Sequence, residues 1–88
     1  MTPDSGSFKN LIHTSAKLRG QGHFEQAIEV VENTLPNLHP DCLENAYLEL
    51  IYAAREGALP KVARRYAELL KAIDPNIPTI KKVLGENT

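Results

Sequence analysis

Gly22-His23-Phe24-Glu25-Gln26-Ala27-Ile28 and Gly57-Ala58-Leu59-Pro60-Lys61-Val62 are the stretches whose reading decides the fold of this 88-residue chain. The two glycines stand 35 residues apart, and the same spacing separates Pro40 from Pro75. At that offset Phe24 falls on Leu59, Ala27 on Val62, Val31 on Tyr66, Leu35 on Leu70 and Leu38 on Ile73. Each glycine lies between two stretches of helical apolar period, where a tight turn calls for φ > 0. Each proline follows the second of these stretches and separates one unit from the next. Two helices per unit, with apolar faces that match at a fixed offset, predict antiparallel helical hairpins in tandem.

Working outward, Leu11, Thr14, Ser15 and Leu18 follow i, i+3, i+4, i+7 spacing and predict a helix over 8–20, capped at Ser7. Phe24, Ala27, Ile28, Val31 and Leu35 form the stripe of a second helix over 24–35, which Pro36 should end. A third, over 42–56, opens with Asp41 as cap and Glu44 reaching back. It is apolar on most sides, through Leu43, Ala46, Tyr47, Leu48, Leu50 and Ile51, so it should be central. A fourth runs over 60–73 from Pro60, a favoured first-turn residue, and a short fifth over 78–84 is stopped by Gly85. The expected fold is all-α, a five-helix fragment of an α-solenoid. Its single domain covers 8–84, with units at about 9–40 and 44–75 and a capping helix, between flexible ends at 1–7 and 85–88.

Composition narrows the function. A chain 42% hydrophobic and 24% charged is globular rather than disordered. A net charge of −1 offers no overall field to nucleic acid or to an anionic membrane. No apolar run approaches the ~18–20 residues that cross a bilayer. Residues 1–7 lack the basic and apolar segments of a secretory signal, and the lone Cys42 cannot form an internal disulfide. The expected setting is cytoplasmic.

At Gly22–Ile28 the chain resembles the tetratricopeptide repeat family, whose turn and second-helix start carry glycine, a large apolar residue two on and alanine five on. Val31, at the family's second-helix aromatic position, and Pro40 continue the match. Gly57–Val62, Tyr66 and Pro75 repeat it more loosely, so that residues 9–75 are covered. Leu11 and Ala46 stand where the family often has tryptophan, Leu50 replaces a small residue, and Thr34 and Leu69 replace a usual alanine. Each unit is also one residue longer than the family's norm.

The resemblance implies a groove, lined by the first helix of each unit, that holds an extended peptide or a partner helix. Its inward positions fall on Lys9, Ile12, Ala16 and Arg19 in the first unit. In the second they fall on Glu44, Tyr47, Ile51, Ala54 and Arg55. An apolar centre of Ile12, Tyr47 and Ile51 flanked by arginines suits a recognition surface. The alternative is that Tyr47 and Ile51 are core. The lysine and asparagines that clamp chaperone tails in some relatives are replaced by Ile12, Ala16 and Leu48, which cannot bind a carboxylate. The expected function is therefore a non-catalytic, adaptor or chaperone-like protein-binding module. A self-associating homodimer or larger homo-oligomer is the competing expectation, because two units plus a cap leave repeat ends to be covered.

Catalysis is not expected. His39-Pro40-Asp41-Cys42 is the one place where a nucleophile, a base and a carboxylate lie close in sequence, and neighbours in a turn rarely converge on one point. No zinc-type or phosphate-cradling motif is present, so no cofactor, metal or small-molecule substrate is expected. Arg64, Arg65 and Lys71 suggest a basic strip, but Glu68 interrupts it; a solvated face, or one that meets an acidic protein, is the simpler reading than nucleic acid.

Overall fold

The computed structural model describes residues 5–85, with side chains from residue 8 onward. It is all-α: α1 Ser5–Gly20, α2 Phe24–Thr34, α3 Pro40–Glu56, α4 Pro60–Ile73 and α5 Pro78–Leu84, with a 3₁₀ turn at Leu35–Asn37. No strand occurs among the described residues. Pro40, Pro60 and Pro78 each open a helix at its first turn, where the missing N–H is no loss. α2 gives way to the 3₁₀ turn at Leu35, one residue before Pro36, as the ring's clash with the preceding turn requires.

Two helix starts differ from expectation. α1 begins at Ser5, so residues 5–7 are helical rather than a flexible lead, and Ser7 is not the cap. Of the two expected flexible ends, residues 1–4 and 86–88 lie outside the described residues, and Gly85 is the C-cap of α5. α3 is capped by His39, whose Nδ1 accepts the Asp41 N–H at 3.1 Å; Asp41 sits in the first turn instead. An imidazole nitrogen has here taken the role expected of the carboxylate.

α3 is central, as its all-round apolar sequence requires. It packs against α1, α2 and α4, while α2 also packs on α1 and α5 on α4. One cluster holds the core, with Ala27, Ile28 and Val31 from α2, Leu50 and Ile51 from α3, Tyr66 and Leu70 from α4, and Ile80 from α5. Alanines at Ala27, Ala46, Ala53, Ala54, Ala63 and Ala67 fill the tight contacts between helix axes. The thinnest Cα dimension, 16 Å, is what two layers of helix give.

The two turns do not keep the spacing of the glycines. His23 N–H bonds to Leu18 C=O at 2.8 Å and Leu59 N–H to Ala54 C=O at 2.7 Å; Gly22 N–H bonds to Arg19 C=O at 3.0 Å and Ala58 N–H to Arg55 C=O at 3.2 Å. These are the paired bonds of a Schellman cap, whose pivot residue takes φ > 0. The pivots are Gly22 (φ 82°) and Ala58 (φ 55°), which stand 36 residues apart, not 35. Gly57 has φ −87° and is helix end, not pivot. The helix starts at Phe24 and Pro60 give the same 36. At this offset Ala27 pairs with Ala63, and both are buried. Pro40 and Pro75 are not equivalent: the first opens α3, the second lies in the loop after α4.

Gly57 is required for a different reason. A Cβ there would lie 2.6 Å from Phe24 Cβ and 2.9 Å from Phe24 Cγ. Gly57→Ala is therefore expected to cost about 1–3 kcal/mol by overpacking. Ala58→Gly relieves a left-handed alanine that costs about 1 kcal/mol or more, against a smaller rise in unfolded-chain entropy. Chemical denaturation should show Gly57→Ala destabilised and Ala58→Gly unchanged or more stable. The opposite order would restore the 35-residue register.

Candidate functional site: the cleft between α1 and α3

α1 and α3 run side by side in the same direction. Ser15 Oγ donates to Glu49 Oε2 at 2.8 Å, and Arg19 Nε donates to Glu56 Oε1 at 3.1 Å. Arg19 Nη1 also reaches Glu49 Oε2 at 2.5 Å, and its guanidinium lies 5.8 Å from the centre of the Tyr52 ring. Glu49 is only 6% exposed, so its charge stands on these two partners. Partial burial works against the charge of Arg19, but the hydrogen bond and attraction of Glu49, with Glu56 beyond, raise its pKa above the usual value. Arg19, expected to face a partner protein, is thus a clamp between two helices of its own chain.

On the N-terminal side of that clamp an open cleft of about 900 Å³ separates the helices. α1 lines it with Phe8, Lys9, Ile12, His13 and Ala16; α3 lines it with Asp41, Cys42, Asn45, Leu48, Glu49 and Tyr52. The floor is apolar, from Ile12, Ala16 and Leu48, and Tyr52 stands at one wall, 39% exposed. Lys9 and Asp41 give the rim one charge of each sign.

Of the expected groove residues, the structure brings Lys9, Ile12 and Ala16 to the cleft. Arg55 is exposed but lines different depressions, and Glu44 is half-buried away from the cleft lining. Ile51 and Ala54 are fully buried. Tyr47 is half-buried on the opposite side of α3, stacked on Tyr66 of α4 with ring centres 5.8 Å apart and planes at 28°. Ile51 and Ala54 belong to the core and Tyr47 packs against it, so none of the three lines the cleft. The cause is the register: one residue along a helix is a turn of about 100°, enough to exchange a groove position for a core one. Moving Lys9, Ile12, Ala16 and Arg19 by 36 gives Asn45, Leu48, Tyr52 and Arg55, and the first three line the cleft. The signal was in the sequence, in the alanine pair Ala27 and Ala63 rather than in the glycine pair.

On α4, Arg64, Arg65 and Lys71 are exposed, and Arg65 lies over the Tyr66 ring at 5.6 Å. Among the described residues no group of three or more His, Cys, Asp and Glu side chains could hold a metal ion, and no helix is long and apolar enough to cross a membrane.

Behind the cleft, the Tyr66 hydroxyl donates to Glu32 of α2. Burial first, then the hydrogen bond to the Glu32 carboxylate, pushes the phenol up to about 12 from 10.0. The folded chain therefore holds a proton that the unfolded chain releases above pH 10. The resulting stability, about 2–3 kcal/mol from the size of the shift, is complete below pH 10 and lost as pH rises to 12. Denaturation midpoints between pH 9 and 12 should fall for the wild type. They should fall clearly less for Tyr66→Phe.

Compared with known proteins, the chain matches no family model, no curated protein and no solved structure.

Proposed function

We propose that the chain is a tetratricopeptide-like protein-binding module, adaptor or chaperone-like in use, whose α1–α3 cleft holds a helix or peptide of another protein. The observation that carries this reading is the cleft itself: an apolar floor of Ile12, Ala16 and Leu48, walled by an exposed tyrosine and rimmed by Lys9 and Asp41. Two turns capped alike support the family resemblance, while their spacing of 36 residues departs one residue further from the family's norm. A chaperone-tail clamp is disfavoured further by the corrected register, which moves the second-unit clamp position from Leu48 to Glu49, a carboxylate that would repel another.

Ala16 is exposed on the floor, so Ala16→Arg intrudes on the cleft without touching the core. Peptides selected on the wild-type protein from a random displayed library should bind Ala16→Arg at least about tenfold more weakly, the size of loss expected when a central contact is blocked. Ala72→Arg, an exposed site at the far end of α4, should bind them as the wild type does. Equal binding by all three proteins would remove the cleft from the account.

Self-association is the second reading, favoured by Leu69 and Ile73, which stand one turn apart on α4 at 43% and 48% exposure. Light scattering over a concentration series checks it: a dimer that Leu69→Glu dissociates supports it, and a monomer at every concentration ends it.

A further inference from the structure

A second depression lies where the α3–α4 turn meets α5. It is a cleft of about 270 Å³ with a floor of Ala54, Ala58, Leu59, Ala63 and Val83. Three cations from three different helices stand around that floor: Arg55 of α3, Arg64 of α4 and Lys82 of α5. All three are exposed, none forms an ion pair with a described residue, and no carboxylate lines the cleft. In a chain of net charge −1, carboxylates elsewhere do capture cations, as Glu49 and Glu56 capture Arg19. Three like charges collected around one small apolar floor repel each other and gain nothing from folding. A ligand of opposite charge removes that repulsion.

We propose that this cleft binds an acidic segment of a partner protein, with two or more carboxylates beside one small apolar side chain. Charge complementarity selects the carboxylates: each arginine offers a planar fork that matches a carboxylate in two hydrogen bonds, and Lys82 adds a mobile point charge. The apolar lining selects a peptide over a free inorganic anion, which would leave Ala58, Leu59, Pro60 and Val83 uncovered. The site is separate from the α1–α3 cleft and does not depend on that cleft's occupation. The grouping is not visible along the chain, where Arg64 reads as part of an α4 strip with Arg65 and Lys71. Folding instead sets Arg64 beside residues nine positions before and eighteen after it.

The test is an amide NMR titration of the whole chain at low salt with the peptide acetyl-Asp-Leu-Glu-Glu-amide, and with acetyl-Asn-Leu-Gln-Gln-amide as the neutral match. The expected result is saturable shifts centred on Ala54, Ala58, Leu59, Ala63 and Val83 with the acidic peptide alone. Its apparent affinity should fall several-fold between 20 and 200 mM salt, as pairing with about three cations requires. Arg55→Gln/Arg64→Gln/Lys82→Gln, all surface changes that leave the core intact, should reduce binding by at least about tenfold. Binding of both peptides alike, retained binding by the triple variant, or shifts with inorganic phosphate but none with the acidic peptide would each overturn the proposal. So would shifts centred on Ile12, Leu48 and Tyr52, which would place acidic segments in the other cleft.

Discussion

Tyr47→Ala is expected to destabilise the fold by about 3 kcal/mol, the effect of truncating a large aromatic in a packed setting. The ring is half-buried, packs against the core and stacks on Tyr66, an arrangement worth about 0.5–1.5 kcal/mol beyond its buried area. In a chain of this length such a loss lowers the melting temperature by more than 10 °C, at about 4–8 °C per kcal/mol. Tyr47→Phe keeps the ring and should lose little. Chemical denaturation of both variants decides the matter. A Tyr47→Ala protein as stable as the wild type would mean the ring is a free surface anchor, as the 35-residue register would have it.

Arg19→Met carries the second large effect. It leaves the Glu49 carboxylate, 6% exposed, with Ser15 as its one remaining hydrogen-bond partner. An uncompensated buried charge typically costs about 3–5 kcal/mol. Arg19 keeps a fifth of its side chain in water, so a loss of about 2–3 kcal/mol is expected at neutral pH. Arg19→Met/Glu49→Leu removes both charges, and its loss should be well below the sum of the two single losses. A strictly additive cycle would show that the clamp between α1 and α3 contributes nothing. The outer Arg19–Glu56 bridge is solvated at the Glu56 end and adds little.

The helices were legible because their signals are local. Pro40, Pro60 and Pro78 mark starts, Pro36 marks an end, and the spacing of Phe24, Ala27, Ile28 and Val31 can be read within three turns. The register between units was not, because two local cues conflict. Glycine marks the left-handed pivot at Gly22, but the second pivot is an alanine, and the glycine beside it is needed where Phe24 approaches. The glycine-to-glycine spacing is therefore one residue short of the pivot spacing, a difference of about 100° around α3. That slip alone exchanged Asn45, Leu48 and Tyr52 for Glu44, Tyr47 and Ile51. On α1, Lys9, Ile12 and Ala16 line the cleft, while Arg19 is held by Glu49 and Glu56 beyond it.

Two of the remaining differences come from pairings between residues far apart in sequence, and one from a local helix cap. Arg19 looks like a surface arginine until Glu49, 30 residues on, is placed beside it. His39 looks like one member of a chemical cluster until its ring is seen accepting the Asp41 N–H, which makes it a cap. Arg64 reads with its neighbours on α4 until α5 brings Lys82 alongside. The two arginine cases depend on how helices pack, which the apolar period along one helix does not encode.

The central claim is that the α1–α3 cleft is the site where another protein is held. The most direct measurement is a map of amide and methyl NMR shifts on adding a peptide selected blindly against the whole protein. The account predicts saturable changes at Ile12, Ala16, Asn45, Leu48 and Tyr52, with Tyr47 and Ile51 quiet on the far side of α3 and the same peptide failing to shift Ala16→Arg. Changes centred on Leu69 and Ile73, with the cleft residues silent and Ala16→Arg binding as the wild type does, would contradict it.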